Sequence, residues 1–587
     1  MLGGRAMCKL VKPSVEKPWL KYFSEEAREA SVPQNTIYRH LRENNENGRG
    51  DTALNYFGRK ISYGTLLTEA DRAAGAFTAA GIKKGDIVAA ATVTIPEMVY
   101  ALYGLNKIGA APLIIDPRTS AAGAMSFIKE TGAKIFIVID LYYEVLKDAL
   151  FESGVEKIVV ISADTSLPKS IRFLKQLKMP APKIATSDKV LTWPQFSATG
   201  EGVETETAEY GENDLAAVTL TGGTTGAPKG VMLSNDGFNA IAFDFRHCGV
   251  SYKRGQRFMN IIPMFSSYGI VSSLHMPLSL GLEVVIIPKF DQGKVGYYVK
   301  KYRPEHTLLV PAHYEKLMNS KEMAGGFDLS FFRTAGSGGD TMNAGLEAKL
   351  NSFLESRGCR YPLSQGYGMS EVSSAASCCC NGNFKSLSVG YPLLTTTIGI
   401  FEPGTDKELG YGEEGEICIS GPSIMLGYLN NKDETDNVIR RHADGTLWVH
   451  SGDIGHMDSD GFVYIKGRIK RMITLFNGHK IFPTHIESVL GRHPLVSSCA
   501  VVGVNDTTHA QGELTLAVIE TQEASLEKRI ALKNELYEMC RQELEGPAKP
   551  HDIIFTDSMP HTGMGKIDYL KLAEDYNNEN KNETEAV

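Results

Sequence analysis

The sequence predicts an α/β protein built from several packing units. A chain of 587 residues is too long for a single hydrophobic core. Short apolar strand candidates alternate with helical stretches from about residue 86, and again from about 214 to 390, which is typical of βαβ units on a buried parallel sheet. Between about 390 and 465 the pattern changes to short strands broken by turns. We therefore expect a large N-terminal domain of two doubly wound α/β subdomains plus a small β-barrel-like unit.

The first alternating series opens with a strand candidate, DIVAAA, at residues 86–91. The run IPEMVYALYGLNKIG predicts a helix with Pro96 in its first turn and Gly109 past its end. The runs APLIID, AKIFIVID and VEKIVVIS follow as apolar strand candidates, and DLAAVTL opens the second series. We expect parallel strands connected by helices in both series.

The stretch at 269–288 is the best candidate for a membrane span. A span needs about 20 mainly apolar residues, but His275, Pro277 and Glu283 interrupt this one. We interpret it as a buried helix, a turn at Gly281 and a buried strand, and expect no transmembrane segment.

The chain after the β-rich region predicts a small α+β domain. The run PTHIESVL predicts a helix that begins after Pro483, with Thr484 and Glu487 spaced as a capping box. The terminal run YNNENKNETEAV is polar and predicts a disordered tail.

Composition and charge are those of an ordinary globular protein. The hydrophobic fraction is 42% and the formal net charge is −8, so the chain as a whole has no positive excess to attract nucleic acid. Nine cysteines, an odd number and mostly scattered, favour a reducing compartment over a disulfide framework. The N-terminal run lacks the apolar segment of a secretory signal. We expect a cytoplasmic protein without a nucleic-acid partner, and the sequence leaves its oligomeric state open.

Three adjacent cysteines, Cys378 to Cys380, interrupt the second series. Adjacent cysteines do not have the C-x-x-C spacing of a zinc site. We interpret them as packing residues, with a redox role as the alternative.

The stretch TLTGGTTGAPKGVML, residues 219–233, has the composition of a phosphate-binding loop. It is not a P-loop, because Ala227 and Pro228 separate the last loop glycine from Lys229, and Gly230 stands where Ser or Thr would bind magnesium. Backbone N–H groups, hydroxyls and the lysine can still surround a polyphosphate.

This string resembles the signature [ST]-[SG]-G-T-[TS]-G-x-P-K-G of the adenylate-forming (AMP-binding) superfamily, which includes acyl-CoA synthetases, aryl-CoA ligases and luciferases. The resemblance implies that the loop holds the β- and γ-phosphates of ATP. The residues it assigns to ATP are Thr221, Gly222, Gly223, Thr224, Thr225, Gly226 and Lys229. Gly222 stands where a serine is usual, which removes one hydroxyl and leaves the backbone intact.

The run QGYGMSE, 365–371, resembles the second signature of that family, G-Y-G-x-[ST]-E. The resemblance implies that Tyr367 lies against adenine, that Ser370 hydrogen-bonds phosphate, and that Glu371 binds Mg²⁺ together with Thr224. Upstream, GSGGD at 336–340 occupies the position of the adenine-binding segment and keeps only its glycine character. Further nucleotide-binding positions implied here are Ser337, Gly338, Gly366 and Gly368.

A third signature, [RK]-T-G-D-x-G followed by G-R-x-K, is similar to residues 450–470. It implies that Asp453 accepts hydrogen bonds from both ribose hydroxyls, and that Arg468 reaches ribose or phosphate. His450 and Ser451 replace the usual Arg and Thr.

The resemblance also implies a hinge at Lys470, where a small mobile α+β C-terminal domain begins. Arg471 stands where many members have Asp, a departure that can shift the balance between conformations. The implied boundaries are 1–467 for the N-terminal AMP-binding domain, 468–471 for the hinge, 472–575 for the C-terminal domain and 576–587 for the tail.

Two lysines of the C-terminal domain match family positions. Lys480, in NGHKI, is assigned a phosphate contact. Lys566, in PHTGMGKIDYLKL, is assigned the bridge between the substrate carboxylate and the α-phosphate, where it offsets both the repulsion of two anions and the developing charge. Lys566, Glu371 and Thr224 are therefore the predicted catalytic residues.

The implied activity is that of an AMP-forming acyl-CoA synthetase with ATP, Mg²⁺ and coenzyme A. A carboxylic acid and ATP give an acyl-adenylate and pyrophosphate, and the CoA thiol then displaces AMP. Two alternatives stay open: a free-standing ligase that loads an acyl or aryl group onto a carrier protein, and a silent nucleotide-binding homologue.

The acid is the least determined part of the prediction. Pro263 to Gly269 resembles a family segment in which Ser266 takes the place of a histidine. By position, the acyl-pocket candidates are Ser266, Tyr268, His313 and Tyr314, with helix packing as the alternative for each. The NGHKI segment resembles longer-chain enzymes and favours a medium- or long-chain fatty acid.

Overall fold

The computed structural model describes most of the chain. The described residues are 12–178, 182–221, 228–340, 342–506, 509, 512–523, 525–544, 546–561 and 567–585.

Residues 12–210 hold the first alternating series, preceded by a hairpin. The strands are β1 (Thr52–Tyr56), β2 (Arg59–Ser62), β3 (Ile87–Ala91), β4 (Ala111–Ile115), β5 (Ile135–Ile139), β6 (Lys157–Ile161) and β7 (Val190–Thr192). The helices are α1 (Pro13–Glu16), α2 (Glu25–Glu29), α3 (Ile37–Asn44), α4 (Tyr63–Ala79), α5 (Pro96–Lys107), α6 (Ala121–Thr131), α7 (Asp140–Glu152), α8 (Lys169–Lys178) and α9 (Trp193–Ala198). The strand expected at 86–91 and the helix expected from Pro96 are confirmed as β3 and α5.

Residues 211–392 hold the second series. The strands are β8 (Leu215–Leu220), β9 (Gly230–Ser234), β10 (Arg257–Asn260), β11 (Glu283–Ile286), β12 (His306–Leu309), β13 (Thr334–Ser337), β14 (Ser364–Tyr367), β15 (Ser377–Cys378) and β16 (Tyr391–Pro392). The helices are α10 (Asn235–His247), α11 (Met276–Ser279), α12 (Val295–Tyr302), α13 (Pro311–Met318) and α14 (Ala344–Ser356).

The stretch at 269–288 is a buried helix, a turn and a buried strand, as expected. A π-helix, Tyr268–His275, leads into α11, Gly281 turns the chain with a φ of +78°, and β11 follows. In the described ranges, no helix is both long and apolar enough to cross a membrane.

The remaining elements form the β-rich unit and the C-terminal segment. The β-rich unit contains β17 (Thr397–Phe401), β18 (Gly415–Ser420), β19 (Gly427–Tyr428), α15 (Lys432–Val438), β20 (Ile439–Arg441), β21 (Leu447–Met457) and β22 (Val463–Arg468). The C-terminal segment contains β23 (Ile473–Thr474), β24 (Lys480–Ile481), α16 (Pro483–Leu490), β25 (Ser498–Asn505), β26 (Glu513–Glu520), α17 (Leu526–Glu543), β27 (Asp552–Thr556) and α18 (Tyr569–Glu585).

Two large sheets dominate the described part of the chain. Their strand orders are β19-β9-β8-β4-β3-β5-β6-β7 and β16-β15-β14-β13-β12-β10-β11-β1-β2. The interiors are parallel, the β19 edge of the first sheet and both edges of the second are antiparallel, and β7 pairs parallel to β6. The smaller antiparallel sheet has the order β17-β18-β21-β20, with β22 paired to β21, and the C-terminal sheet has the order β25-β26-β27. The predicted fold class, two doubly wound α/β units, a β unit and a small α+β unit, is confirmed.

The two large sheets enclose a shared helical layer. The main apolar core contains residues of α4, α5 and α10 together with inward-facing residues of both sheets. Separate cores lie on the outer faces, one between α6, α7 and the first sheet, the other between α12, α13, α14 and the second sheet. The strands are therefore covered on both faces, which explains their continuous apolar sequences.

The predicted capping box at Thr484 and Glu487 is wrong. Helix α16 begins at Pro483, and no side chain caps it. Thr484 Oγ1 instead donates to the carbonyl oxygen of Lys466, and Glu487 is paired with Arg471. Tertiary contacts of these two side chains therefore replace the predicted cap.

The polar run 576–587, for which disorder stays a prediction, begins within the last helix. Helix α18 continues to Glu585. Leu572, Ala573 and Tyr576, spaced along one helical face, pack into an apolar cluster with β25 and β26. Leu572 and Ala573 precede the run 576–587 and Tyr576 is its first residue, so this packing holds the start of the run.

A buried carboxylate joins the second series to the β unit. Asp244 on α10 is fully buried and accepts hydrogen bonds from the Thr395 N–H and from Thr395 Oγ1, each at 2.9 Å. Burial raises the pKa of Asp244 to about 7. The two hydrogen bonds from Thr395 act in the opposite direction but offset only part of the effect of burial. Because the folded state then binds a proton that the unfolded state has released, this carboxylate costs stability as the pH rises from the unfolded pKa towards 7.

Replacing Asp244 by Asn keeps the shape and removes that titration. Between about pH 5 and about pH 8, we expect the thermal midpoint of the wild type to fall by ~2 °C or more relative to that of Asp244→Asn. Differential scanning calorimetry measures this difference, with Glu29→Gln, at an exposed carboxylate of α2, as the control. Parallel pH profiles for wild type and Asp244→Asn would contradict the account.

Candidate active site

A cavity of about 1630 Å³ opens where the parallel strands of both large sheets end. Thr221 follows β8, Val310 follows β12, Ser337 ends β13 and Tyr367 ends β14, and all four line it. The carboxyl edge of a parallel sheet is the usual position of a ligand site. The volume exceeds the ~300–1,000 Å³ of most small-molecule pockets, so it has room for more than one ligand.

Asp453 lies at the polar end of the cavity. Its carboxylate is buried, with Arg468 Nε at 2.9 Å from Oδ1 and the Tyr367 hydroxyl donating to Oδ2 at 2.7 Å. Asp453 and Arg468 face each other across the β21–β22 pair, and Tyr367 comes from the second large sheet. A buried carboxylate needs such partners because its desolvation is costly.

The charges of this group determine its protonation. Burial raises the pKa of Tyr367, and the negative charge of Asp453 raises it further. The same negative charge raises the pKa of Arg468. At neutral pH Tyr367 is therefore a neutral donor and Arg468 a cation, and Asp453 accepts from both.

The residues before Asp453 are held by Glu416 of β18. Its carboxylate accepts from the Gly452 N–H at 3.0 Å and from His450 Nδ1 at 2.9 Å. Burial acts to raise the pKa of Glu416, but the hydrogen bond and charge of His450 lower it overall. His450, a departure from the family signature, thus positions the part of β21 that carries Asp453. Sequence reasoning missed Glu416, although an acidic residue inside the apolar strand GEICIS was an available signal.

Glu371 forms a second polar group with Tyr428. The buried Glu371 accepts from the Tyr428 hydroxyl at 2.6 Å, and Lys229 Nζ lies 4.8 Å from the centre of the Tyr428 ring. Lys229 also pairs with Glu434 on α15. Sequence reasoning missed Tyr428 and Glu434, because β19 and α15 reach this place only through the pairing of β19 with β9.

The ends of the predicted phosphate loop are joined. The Thr221 N–H donates to the Lys229 carbonyl at 3.0 Å, and the Lys229 N–H donates to Thr221 Oγ1 at 3.1 Å. The residues between them that were assigned to ATP, Gly222, Gly223, Thr224, Thr225 and Gly226, lie outside the described residues, as does Lys566. His561, which precedes the Lys566 segment, lines the cavity and pairs with Ile567 on its other side.

Glycines predicted to lie at the nucleotide bring two strands close together. Ser337, Gly338, Gly366, Gly368 and Ser370 all line the cavity. A Cβ at Gly338 would lie 3.1 Å from the Gly366 carbonyl oxygen, and a Cβ at Gly368 would lie 2.0 Å from the Ser374 carbonyl oxygen. No side chain fits at Gly368 without a shift of the backbone. Ser370 accepts a hydrogen bond from Ser267 at 3.2 Å.

Three of the four acyl-pocket candidates line the cavity, namely Ser266, Tyr268 and His313. Tyr314 is instead packed in the core of the second sheet, where its hydroxyl donates to the Gly336 carbonyl at 2.9 Å. Burial lowers the pKa of His313 to about 4, so its imidazole is neutral at pH 7.

An apolar wall completes the cavity, and the sequence did not indicate it. Its residues are Phe245, Val250, Tyr252, Leu308, Cys378 and Cys380. All three adjacent cysteines are buried and free. Burial raises the pKa of Cys379 to about 12, which keeps its thiol protonated and agrees with a packing role.

Two lysines assigned from the family resemblance lie outside the cavity. Lys470 and Lys480 are exposed and do not line it. Arg471 does, and it donates to Glu487 Oε1 at 2.6 Å and stacks on Tyr569 at 3.5 Å from the ring centre. Arg471 is thus held by α16 and α18 of the C-terminal segment.

Comparisons with known proteins cover almost the whole chain. The family model described as AMP-binding enzyme matches residues 41–429, and the model of the AMP-binding enzyme C-terminal domain matches residues 485–566. The chain is 28% identical to a long-chain-fatty-acid–CoA ligase of Bacillus subtilis, over 95% of this chain and 98% of that protein. It is 29% identical to a probable 4-coumarate–CoA ligase 1 of Dictyostelium discoideum, over 76% of this chain and 79% of that protein.

Solved structures share the fold. ATP-bound MatB from Rhodopseudomonas palustris aligns with a TM-score of 0.77 at 23% identity, over 92% of this chain and 99% of that one. The anthranilate CoA ligase AuaEII in complex with anthranoyl-AMP aligns with a TM-score of 0.78 at 21% identity, over 94% of this chain and 98% of that one.

The Asp453 group predicts a strong effect of a minimal substitution. In Asp453→Asn an amide donor faces either the Tyr367 hydroxyl or Arg468, both of which are donors. We expect the Kd for ATP to rise about 10- to 100-fold, the range for losing a hydrogen bond to a charged group. Isothermal titration calorimetry measures the change. Glu414→Gln, at an exposed carboxylate of the same β unit paired with Lys466, is the matched control. Equal affinity in wild type and Asp453→Asn would contradict this assignment.

Proposed function

Because the chain belongs to the AMP-binding enzyme family and is an acid–thiol ligase, we propose that it converts a medium- or long-chain fatty acid to its CoA thioester. The acid and ATP give an acyl-adenylate and pyrophosphate, and the thiol of CoA then displaces AMP. The observation that carries the proposal is a single cavity that joins the polar groups around Asp453 and Glu371 to a wall of apolar side chains.

Asp453 is the proposed ribose contact. A carboxylate offers about four lone-pair directions. Tyr367 occupies one lone-pair direction of Oδ2, and Arg468 occupies one of Oδ1. Each oxygen can therefore still accept a hydrogen bond from a ribose hydroxyl. The rigid β21–β22 pair holds this acceptor in place before the nucleotide arrives.

Glu371 is the proposed magnesium ligand, together with Thr224. A carboxylate plus phosphate oxygens is the set that Mg²⁺ prefers. Glu371 fits this role because it is buried beside the cavity and one of its oxygens is oriented by Tyr428. The bound ion would neutralise charge on the phosphate oxygens.

The reacting carboxylate needs positive charge rather than a base. A fatty acid is already ionised at pH 7, so no proton has to be removed from it. Its attack on the α-phosphate brings two anions together, and Lys566 is the proposed cation between them. His561 at the cavity wall supports this, because the segment that carries Lys566 starts there.

The proposed hinge, 468–471, separates 1–467 from the C-terminal domain, 472–575. A rotation at Lys470 would carry Arg471 with the C-terminal domain, since Glu487 and Tyr569 hold it there. It would also break the hydrogen bond from Thr484 to the Lys466 carbonyl. Such a motion would withdraw Lys566 after the first step and open the site for CoA.

The choice of a fatty acid rests on the apolar wall and on the Bacillus relative named as a long-chain-fatty-acid–CoA ligase. Relatives named as 4-coumarate–CoA ligases make an aromatic acid the competing substrate. An extended alkyl chain gains about 0.8 kcal/mol per buried CH₂, so affinity should rise with chain length until the wall ends.

Acid-dependent pyrophosphate release from Mg-ATP tests the proposal across fatty and aromatic acids, with and without CoA. We expect release to be greatest with medium- or long-chain fatty acids, to yield a thioester with CoA, and to fall at least about 100-fold in Lys566→Ala. Lys571→Ala, at an exposed lysine of α18, is the matched control. A preference for aromatic acids would contradict the substrate proposal, and release without thioester would point to a carrier-protein ligase.

Filling the apolar wall should shorten the preferred acid. Val250 is partly buried at the cavity, so Val250→Phe removes space without emptying the core. We expect kcat/KM for the longest accepted acid to fall about tenfold or more, and that for the shortest accepted acid to change little. Val15→Phe, at a residue that is 73% exposed, is the control. An equal loss for all chain lengths would contradict the assignment of this wall.

A further inference from the structure

Helix α8 stands out because its side chains lie in solvent. It has 10 residues, and each of its described side chains is exposed. Phe173, Leu174 and Leu177 are 62%, 59% and 69% exposed. Their spacing places them together on one side of the helix.

A helix of this kind requires a surface to pack on. Isolated helices shorter than about 12–15 residues are marginal in water, and helices in proteins are stabilised mainly by burying an apolar face. Leaving Phe173, Leu174 and Leu177 in water forgoes that stabilisation.

The opposite side of α8 is basic. Lys169, Arg172 and Lys175 recur every three residues, Lys178 follows, and Lys183 lies just beyond the helix. Residues 168–183 contain no Asp or Glu, although the whole chain has a net charge of −8. A short helix with apolar residues on one side and only positive charge on the other is typical of segments that lie in the interface of an anionic membrane.

The helix borders the opening of the cavity. Ile171 and Lys175 line the cavity, and Lys175 is held there by a pair with Asp164. Leu141 at the start of α7 lines the same opening while 66% exposed, and Val145, one turn further along, is 64% exposed. Both helices therefore carry exposed apolar side chains beside the cavity, and the cavity-lining residues of α8 lie on the other side of that helix from Phe173, Leu174 and Leu177.

We propose that α8 and the start of α7 dock on an anionic lipid surface. Phe173, Leu174 and Leu177 enter the acyl boundary, and Lys169, Arg172 and Lys178 contact lipid phosphates. The charge argument favours lipid over a second copy of this chain, because an identical patch would bring like charges together across a two-fold axis. The inference goes beyond the proposed function, because the proposed reaction does not require a membrane.

Vesicle co-sedimentation of the full-length protein tests this, with vesicles of phosphatidylcholine alone and of phosphatidylcholine with phosphatidylglycerol. We expect binding to the anionic vesicles, weakened by high salt, and a loss of about tenfold or more in the double variant Phe173→Glu with Leu177→Glu. Its matched control is Leu526→Glu with Ile530→Glu, which places the same charges at the same spacing on exposed apolar residues of α17. A second variant, Lys169→Gln with Arg172→Gln, should weaken binding and reduce its dependence on salt.

The proposal would be overturned if the wild type did not bind anionic vesicles, or if the α8 variant and the α17 control bound them equally. It would also be overturned if light scattering showed the wild type as a dimer and the α8 variant as a monomer. The last result would assign the patch to a second copy of the chain. Because vesicle binding is measured without acid or ATP, its failure is distinguishable from failure of the proposed reaction.

Discussion

The buried carboxylate of Asp453 is the constraint on which the rest of the site depends. Its partners come from separate parts of the chain: Tyr367 ends a strand of the second large sheet, and Arg468 ends the last strand of the β unit. The carboxylate therefore joins the second large sheet to the β unit at the first residue of the hinge candidate. Glu416 and His450 fix the part of β21 that carries it, so the acceptor is positioned before any ligand binds.

The same arrangement explains how one cavity can hold chemically different ligands. Polar groups cluster where Tyr367, Glu371 and Asp453 approach one another, and apolar side chains come from α10 and the strands beyond it. The C-terminal segment forms part of the wall through His561, Arg471 and Tyr569. Since Arg471 is held by its own segment, any rotation at the hinge changes which side chains face the cavity.

The sequence predicted the fold well because both large sheets are built from local βαβ repeats with apolar strands and helix-terminating Pro and Gly. It could not predict that β1 pairs with β11, because that contact joins residues about 230 apart. The capping box failed because Thr484 and Glu487 have partners outside their own helix, 18 and 16 residues earlier in the chain.

Within the site, the predicted residues were those of continuous motifs, and those missed came from other segments. Tyr428 reaches Glu371 only through the pairing of β19 with β9, and Cys378 and Cys380 line the cavity only because β15 pairs with β14. Tyr314 was a candidate by position, yet its hydroxyl is used up by core hydrogen bonds to Thr307 and Gly336. Sequence spacing identifies chemistry that is local in the chain, whereas a pocket wall depends on strand order.

The central claim is that one site makes an acyl-adenylate and then transfers its acyl group to CoA. Mass spectrometry of single-turnover mixtures tests it most directly. The account predicts the adenylate of a fatty acid, bound to the enzyme, when CoA is absent, and its replacement by the CoA thioester and AMP when CoA is added. Formation of ADP in place of AMP, or of AMP without any acyl-adenylate or thioester, would contradict it.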